Sequence, residues 1–67
     1  MTQRIAPTIL KRRCDQLLVA LVGGQELVER WWASPNLAFG DKTPAEVFET
    51  APEIVYNYLC VHAYGGW

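Results

Sequence analysis

Gln25-Glu26-Leu27-Val28-Glu29-Arg30-Trp31-Trp32-Ala33-Ser34-Pro35-Asn36-Leu37-Ala38-Phe39-Gly40-Asp41-Lys42-Thr43-Pro44-Ala45-Glu46 holds a helix, its stop, a loop and the start of the next helix in one unbroken stretch. Leu27, Val28, Trp31 and Trp32 form two overlapping apolar rows at helical spacing, so a helix is predicted over 25–33. Pro35 forbids its continuation, because the ring clashes with the preceding turn and lacks an N–H. Adjacent tryptophans lie about 100° apart on a helix and can hardly face the same core. Trp31 is expected inside, and Trp32 at an edge or interface. Residues 34–42 read as an irregular but ordered loop, with Pro35, Asn36, Gly40 and Asp41 as turn formers and Leu37 and Phe39 as apolar pins. Thr43-Pro44-Ala45-Glu46 is then a full helix start: threonine at the N-cap, proline at the first helical position, and glutamate reaching back as in a capping box.

The same reading extends in both directions. Upstream, Leu10, Cys14, Leu17, Leu18 and Leu21 recur at helical spacing from Thr8, and Gly23-Gly24 supplies the stop, which predicts a helix over 8–22. Ile9, Val19 and Val22 widen its apolar arc beyond what one facing helix covers. Downstream, a short helix over 44–49 carries Val47 and Phe48 as its buried pair. Thr50-Ala51-Pro52-Glu53 repeats the Thr-x-x-Glu arrangement and predicts a restart after a sharp corner. The last helix, 52–64, places Ile54, Val55, Tyr58, Leu59 and His62 at helical spacing and ends at Gly65-Gly66. No segment alternates like a strand. The fold class is therefore all-α, a small bundle of about four helices forming a single domain over 1–67.

A chain of 67 residues buries only roughly 60% of the surface its unfolded form exposes. Domains below about 70–80 residues usually draw stability from disulfides, a metal or a second subunit. Cys14 and Cys60 are the sole cysteines, and the N-terminus shows no secretory signal. A cytoplasmic location, where thiols stay reduced, is expected. The longest apolar run, Leu17–Val22, is far short of the roughly 20 residues a membrane span requires. That leaves association, with a homodimer as the expectation. With 51% hydrophobic residues, three Trp and three Tyr, so small a chain cannot hide every large side chain. Aromatics are enriched at protein interfaces, and Trp32, Tyr58, Tyr64 and Trp67 are the expected partner contacts.

Chemistry of other kinds finds little support. One His and two Cys are a poor supply of converging titratable groups, Glu46 and Glu53 sit at helix starts, and no catalytic residue is expected. Cys60 and His62, two apart on a helix, point in different directions. Cys14, Cys60 and His62 lack a fourth ligand and paired-cysteine spacing, so no metal or other cofactor is expected. Gly23-Gly24 is accounted for by the helix stop without an anion site. The net charge is −1, yet Arg4, Lys11, Arg12 and Arg13 make the first segment basic, and these four would be the phosphate contacts of a nucleic-acid accessory protein. Read as a helix-turn-helix, however, the recognition helix would carry Glu26 and Glu29 against Arg30, the wrong sign for a polyanionic groove. A protein partner is the favoured reading.

The order Arg30-Trp31-Trp32, Ser34-Pro35-Asn36, Ala38-Phe39-Gly40, Lys42-Thr43-Pro44 and Val47-Phe48 resembles the toxin-binding domain of MbcA/ParS/Xre-type antitoxins. The motif positions are Arg30, Trp31, Pro35, Asn36, Gly40, Thr43 and Pro44, and the likeness covers about 14–67. Trp32 and Phe39 stand where the family more often has leucine. The resemblance implies a helical, commonly dimeric domain that binds a RES-type toxin acting on NAD and blocks its active site with its C-terminal end. Carried to this chain, the blocking element is Tyr64, Gly65, Gly66 and Trp67. No helix-turn-helix domain precedes these residues, so promoter binding is not expected. The alternative within the same class is a phage or mobile-element protein that uses the scaffold to inhibit a different host protein, such as an enzyme.

Overall fold

The computed structural model describes residues 6–64. The first helix, α1, is Pro7–Val22. It starts one residue ahead of the expected Thr8, because proline occupies a first-turn position where its missing N–H costs nothing. At its other end Gly23 takes a left-handed φ of 96° and its N–H donates to the Val19 carbonyl, a conformation that glycine adopts without strain. Helix α2 is Gln25–Ala33, as expected. Pro35 stops it, and Ser34 closes the end, its hydroxyl donating to the Arg30 carbonyl at 2.8 Å.

The 34–42 loop holds one turn of 3-10 helix, Leu37–Phe39. Asn36 organises it: its side-chain oxygen accepts from the Ala38 N–H at 2.9 Å, and its own N–H donates to the Lys42 carbonyl at 3.1 Å, which draws the two ends of the loop together. Gly40 and Asp41 both carry left-handed φ values, 67° and 69°. Helix α3, Pro44–Thr50, opens with the expected capping box. The Glu46 N–H donates to the Thr43 hydroxyl at 3.1 Å, and the Thr43 N–H donates to the Glu46 carboxylate at 2.9 Å. Its deepest residue is Pro44, whereas Val47 and Phe48, expected as the buried pair, are half-buried against the core.

Helix α4, Pro52–Ala63, follows after a single residue. The second capping box does not form. Ala51 is the N-cap of α4 and supplies no side-chain bond, while the Thr50 hydroxyl donates backward to the Val47 carbonyl at 3.4 Å. Pro52 sets the start instead. The last helical residue is Ala63, followed by a turn at Tyr64; the expected stop at Gly65-Gly66 lies outside the described residues.

Helix α1 packs chiefly on α4, with α2 against α1 and α3 bridging α2 and α4. The starts of α1 and α4 meet where Ala6 and Pro7 approach Pro52 and Glu53. Their ends meet where Leu21 and Val22 approach Tyr58 and His62. Cys14, Leu18, Val28, Trp32, Val55 and Leu59 form the core. Among the described residues no polar or charged side chain is buried.

The two tryptophans are exchanged relative to expectation. Trp32, expected at an edge or interface, is only 7% exposed and belongs to the core, whereas Trp31, expected inside, is half-buried at the core's edge. Trp32 shares a helical face with Val28, four residues earlier, and that face meets α1 and α3. Its indole N–H donates to the Asp15 carboxylate at 2.8 Å, which satisfies its one polar atom. Lys11 closes the arrangement, 3.2 Å from Asp15 and 4.7 Å from the centre of the Trp32 ring. Phe48 meets the same ring edge-on at 5.5 Å.

Candidate partner-binding surface

Helix α4 is apolar almost all round, with Glu53, Asn57 and His62 as its polar residues. A helix of that kind is normally covered on every side. Here Val55 and Leu59 are buried, but Ile54 is 53% exposed, Val61 57% and Tyr64 74%. Ile54 and Val61, seven residues apart, share one outward face, and Tyr64 lies one turn further along it. The helical spacing of Ile54, Val55, Tyr58, Leu59 and His62 does not separate covered from open positions, because α4 carries apolar residues at two phases and only one of them meets the bundle.

An aromatic seam borders this row. Tyr58 lies between Trp31, near-parallel to it at 6.4 Å, Phe39 at 5.1 Å and His62 at 4.3 Å. Trp31 in turn meets Phe39 edge-on at 6.4 Å. The seam ties the loop to α2 and α4 and holds the outward row on a rigid base. Tyr58, an expected partner contact, is thus half-buried at the margin of the row, and Tyr64 is fully presented. Gly65, Gly66 and Trp67 lie outside the described residues.

Leu37 also departs from its expected role. It is 86% exposed, and Phe39 alone pins the loop. Most motif positions shape the backbone: Asn36 and Gly40 form the loop, Thr43 and Pro44 start α3, Pro35 stops α2 and Trp31 joins the seam, while the Arg30 side chain is exposed. The signal for the outward row was the near-absence of charge on α4.

The remaining chemistry-bearing side chains are scattered. Arg12 and Arg13 are exposed on α1, Lys11 is engaged with Asp15 and Trp32, and Arg4 lies outside the described residues. Cys14 is buried, and burial foremost, then the neighbouring Asp15 charge, pushes its thiol up to about 11, so it stays protonated and behaves as a small hydrophobe. Cys60 is half-buried, and both are free. No helix among the described residues is long and apolar enough to cross a membrane.

The family model described as the antitoxin Xre/MbcA/ParS C-terminal toxin-binding domain matches residues 17–59. No curated protein and no solved structure matches the chain significantly. The matched span runs from the middle of α1 to Leu59, taking in the capped loop, the aromatic seam and the core of α4. The chain belongs to the Xre/MbcA/ParS family of antitoxin toxin-binding domains.

Proposed function

We propose that this chain is a non-enzymatic inhibitor that neutralises a RES-type, NAD-degrading toxin in the cytoplasm by laying the outer face of α4 on the toxin and directing the segment Tyr64-Gly65-Gly66-Trp67 at the active site. Family membership supports a protein partner. The observation that supports the choice of surface is the row Ile54, Val61 and Tyr64, each more exposed than any large apolar side chain on α1 or α2. Large side chains near the centre of an interface contribute most of its affinity, and Tyr64 and Trp67 are the largest at this end of the molecule. Inhibition works by occupancy, so the chain contributes no reacting group. The chain acts as a homodimer, which supplies the extra burial that so small a core lacks.

The deciding experiment is to titrate the chain into a RES-type toxin and follow NAD loss. Wild type is expected to stop NAD consumption stoichiometrically, and Trp67→Ala to weaken inhibition while leaving helicity nearly unchanged. Equal inhibition by Trp67→Ala rejects the blocking role of the C-terminal segment. Sedimentation across concentration tests the dimer, and a monomer at high micromolar levels counts against it. Nucleic acid enters as an outcome of a salt titration: affinity for DNA that falls steeply with salt would assign Arg12 and Arg13 to phosphate instead.

A further inference from the structure

We infer that Arg4-Ile5, the residues leading into α1, form a latch over the groove at the starts of α1 and α4, with Ile5 against its apolar side chains and Arg4 paired with Glu49 and Glu53. The inference goes beyond toxin binding and does not depend on it. The groove lies at the opposite end of α4 from Tyr64.

The groove has a volume of about 530 Å³ and is lined by the apolar Ala6, Pro7, Phe48 and Pro52 and by the polar Glu49, Thr50 and Glu53. Its occupant follows from where the chain enters. Ala6 is both a lining residue and the N-cap of α1, so residue 5 begins beside the groove, and Arg4 lies within about 7 Å of Ala6 even in an extended chain. The Ala6 backbone is extended, with φ −58° and ψ 142°, as suits an N-cap and a residue before proline. Ala6 supplies no side-chain bond to the helix. A hydrophobic staple is the other device that fixes the entry of a chain, the residue before the N-cap packing against the fourth helical residue. Those positions are Ile5 and Leu10, and Leu10 is only 4% exposed. The staple draws Ile5 to the bundle side of α1, where Phe48 and Pro52 meet the helix start.

Charge selects the neighbour of Ile5 in the same way. Glu49 and Glu53 are exposed, and among the described residues the one ion pair joins Lys11 to Asp15. Glu49 lies in the last turn of α3, where its charge adds to the negative end of the helix and no basic residue offsets it. The Thr50 hydroxyl is taken up by the Val47 carbonyl, so the two carboxylates are the acceptors that the groove presents. Arg4 is the one cation in the stretch 1–10. Its guanidinium carries five donors in a fixed fork, enough to serve both carboxylates. Pairing also offsets the cost of a cation beside the positive start of α1.

The test uses the full chain and reads nuclear Overhauser contacts together with thermal midpoints. Contacts from the Ile5 methyls to the Phe48 ring are expected. In low salt Arg4→Gln should lower the midpoint by about 1–5 °C, and the loss should shrink at 1 M salt, where screening acts beyond about 3 Å. The same change in a Glu49→Gln, Glu53→Gln background should shift the midpoint by less than about 1 °C, because the acceptors are gone. Ile5→Ser should lower it by about 4 °C or more. Absence of the Ile5–Phe48 contacts overturns the inference, and so does an Arg4→Gln loss that is equal in both backgrounds. An unchanged midpoint in Arg4→Gln, with weaker retention of DNA at low salt, overturns it as well and assigns Arg4 to phosphate.

Discussion

On the side where α2 meets α1 and α3, Trp32 is wholly committed: its ring fills the core, Phe48 meets it edge-on, its N–H reaches Asp15 and Lys11 lies over it. On the outer side of α4, Ile54, Val61 and Tyr64 have no such company. Both regions are built from large apolar side chains, yet one has a donor, an acceptor and a cation arranged around it and the other has water. The difference separates what holds this molecule together from what it leaves open to solvent. A thin core makes each committed residue matter, and it leaves the uncommitted ones available for binding at little cost to folding.

Truncating the committed side should do the most damage. Trp32→Ala is expected to cost about 3–5 kcal/mol, comparable to the whole stability of about 3–10 kcal/mol typical of a chain this long, so urea denaturation should find it largely unfolded. Trp32→Phe sharpens the result by keeping most of the ring and removing the N–H, which leaves the partly exposed Asp15 carboxylate with Lys11 as its remaining donor and should cost about 1 kcal/mol. Ile54→Ser and Val61→Ser on the open side should stay within about 0.5 kcal/mol of wild type while weakening partner binding. A large stability loss from either would break the contrast, because it would mean that α4's outer face is part of the fold.

The capping pair gives a smaller and cleaner test. Thr43→Ala removes a formed N-cap and should cost about 1 kcal/mol, whereas Thr50→Ala, whose hydroxyl only touches the Val47 carbonyl, should change stability by less than about 0.5 kcal/mol. Acid titration probes the same box. The bonds that Glu46 accepts, first from the Thr43 backbone and then from its hydroxyl, lower its carboxyl below the ordinary value of 4.5. The depressed value means that this stabilisation is present above about pH 4.5 and is lost as pH falls through the lower folded value. Glu46→Gln should flatten that part of the acid-unfolding curve slightly, and an unaltered curve would show that the carboxylate bond is inconsequential. Thiol labelling at pH 8 completes the series: Cys60 should react well before Cys14, which is buried and held protonated to about 11. Equal rates would show that the packing of α1 on α4 opens readily.

Local signals carried much of the architecture. Pro35 and Pro44 frame the loop and Gly23 ends α1, each through constraints confined to a turn or less. The motif from Arg30 to Phe48 also identified the family, since those positions shape a loop and a cap that depend on near neighbours. The exposed row was less legible. Tyr64 is exposed as a partner contact would need to be, but helical spacing did not mark Ile54 as open, and Leu37, expected as a pin, faces outward.

What the amino-acid order determined by itself was therefore the number of helices, their bounds to within a residue, the caps at Gly23 and Thr43, and the likeness of the 30–48 segment to its family. The tertiary structure decided which of two adjacent tryptophans goes inside, which phase of α4 is covered, and whether Thr50 caps a helix as Thr43 does. A helical period gives only the angles between side chains, and the choice among them depends on groups far along the chain. Asp15, 17 residues from Trp32, supplies the acceptor that lets that indole be buried. Trp31, turned about 100° away, is left to Tyr58 and Phe39 at the rim.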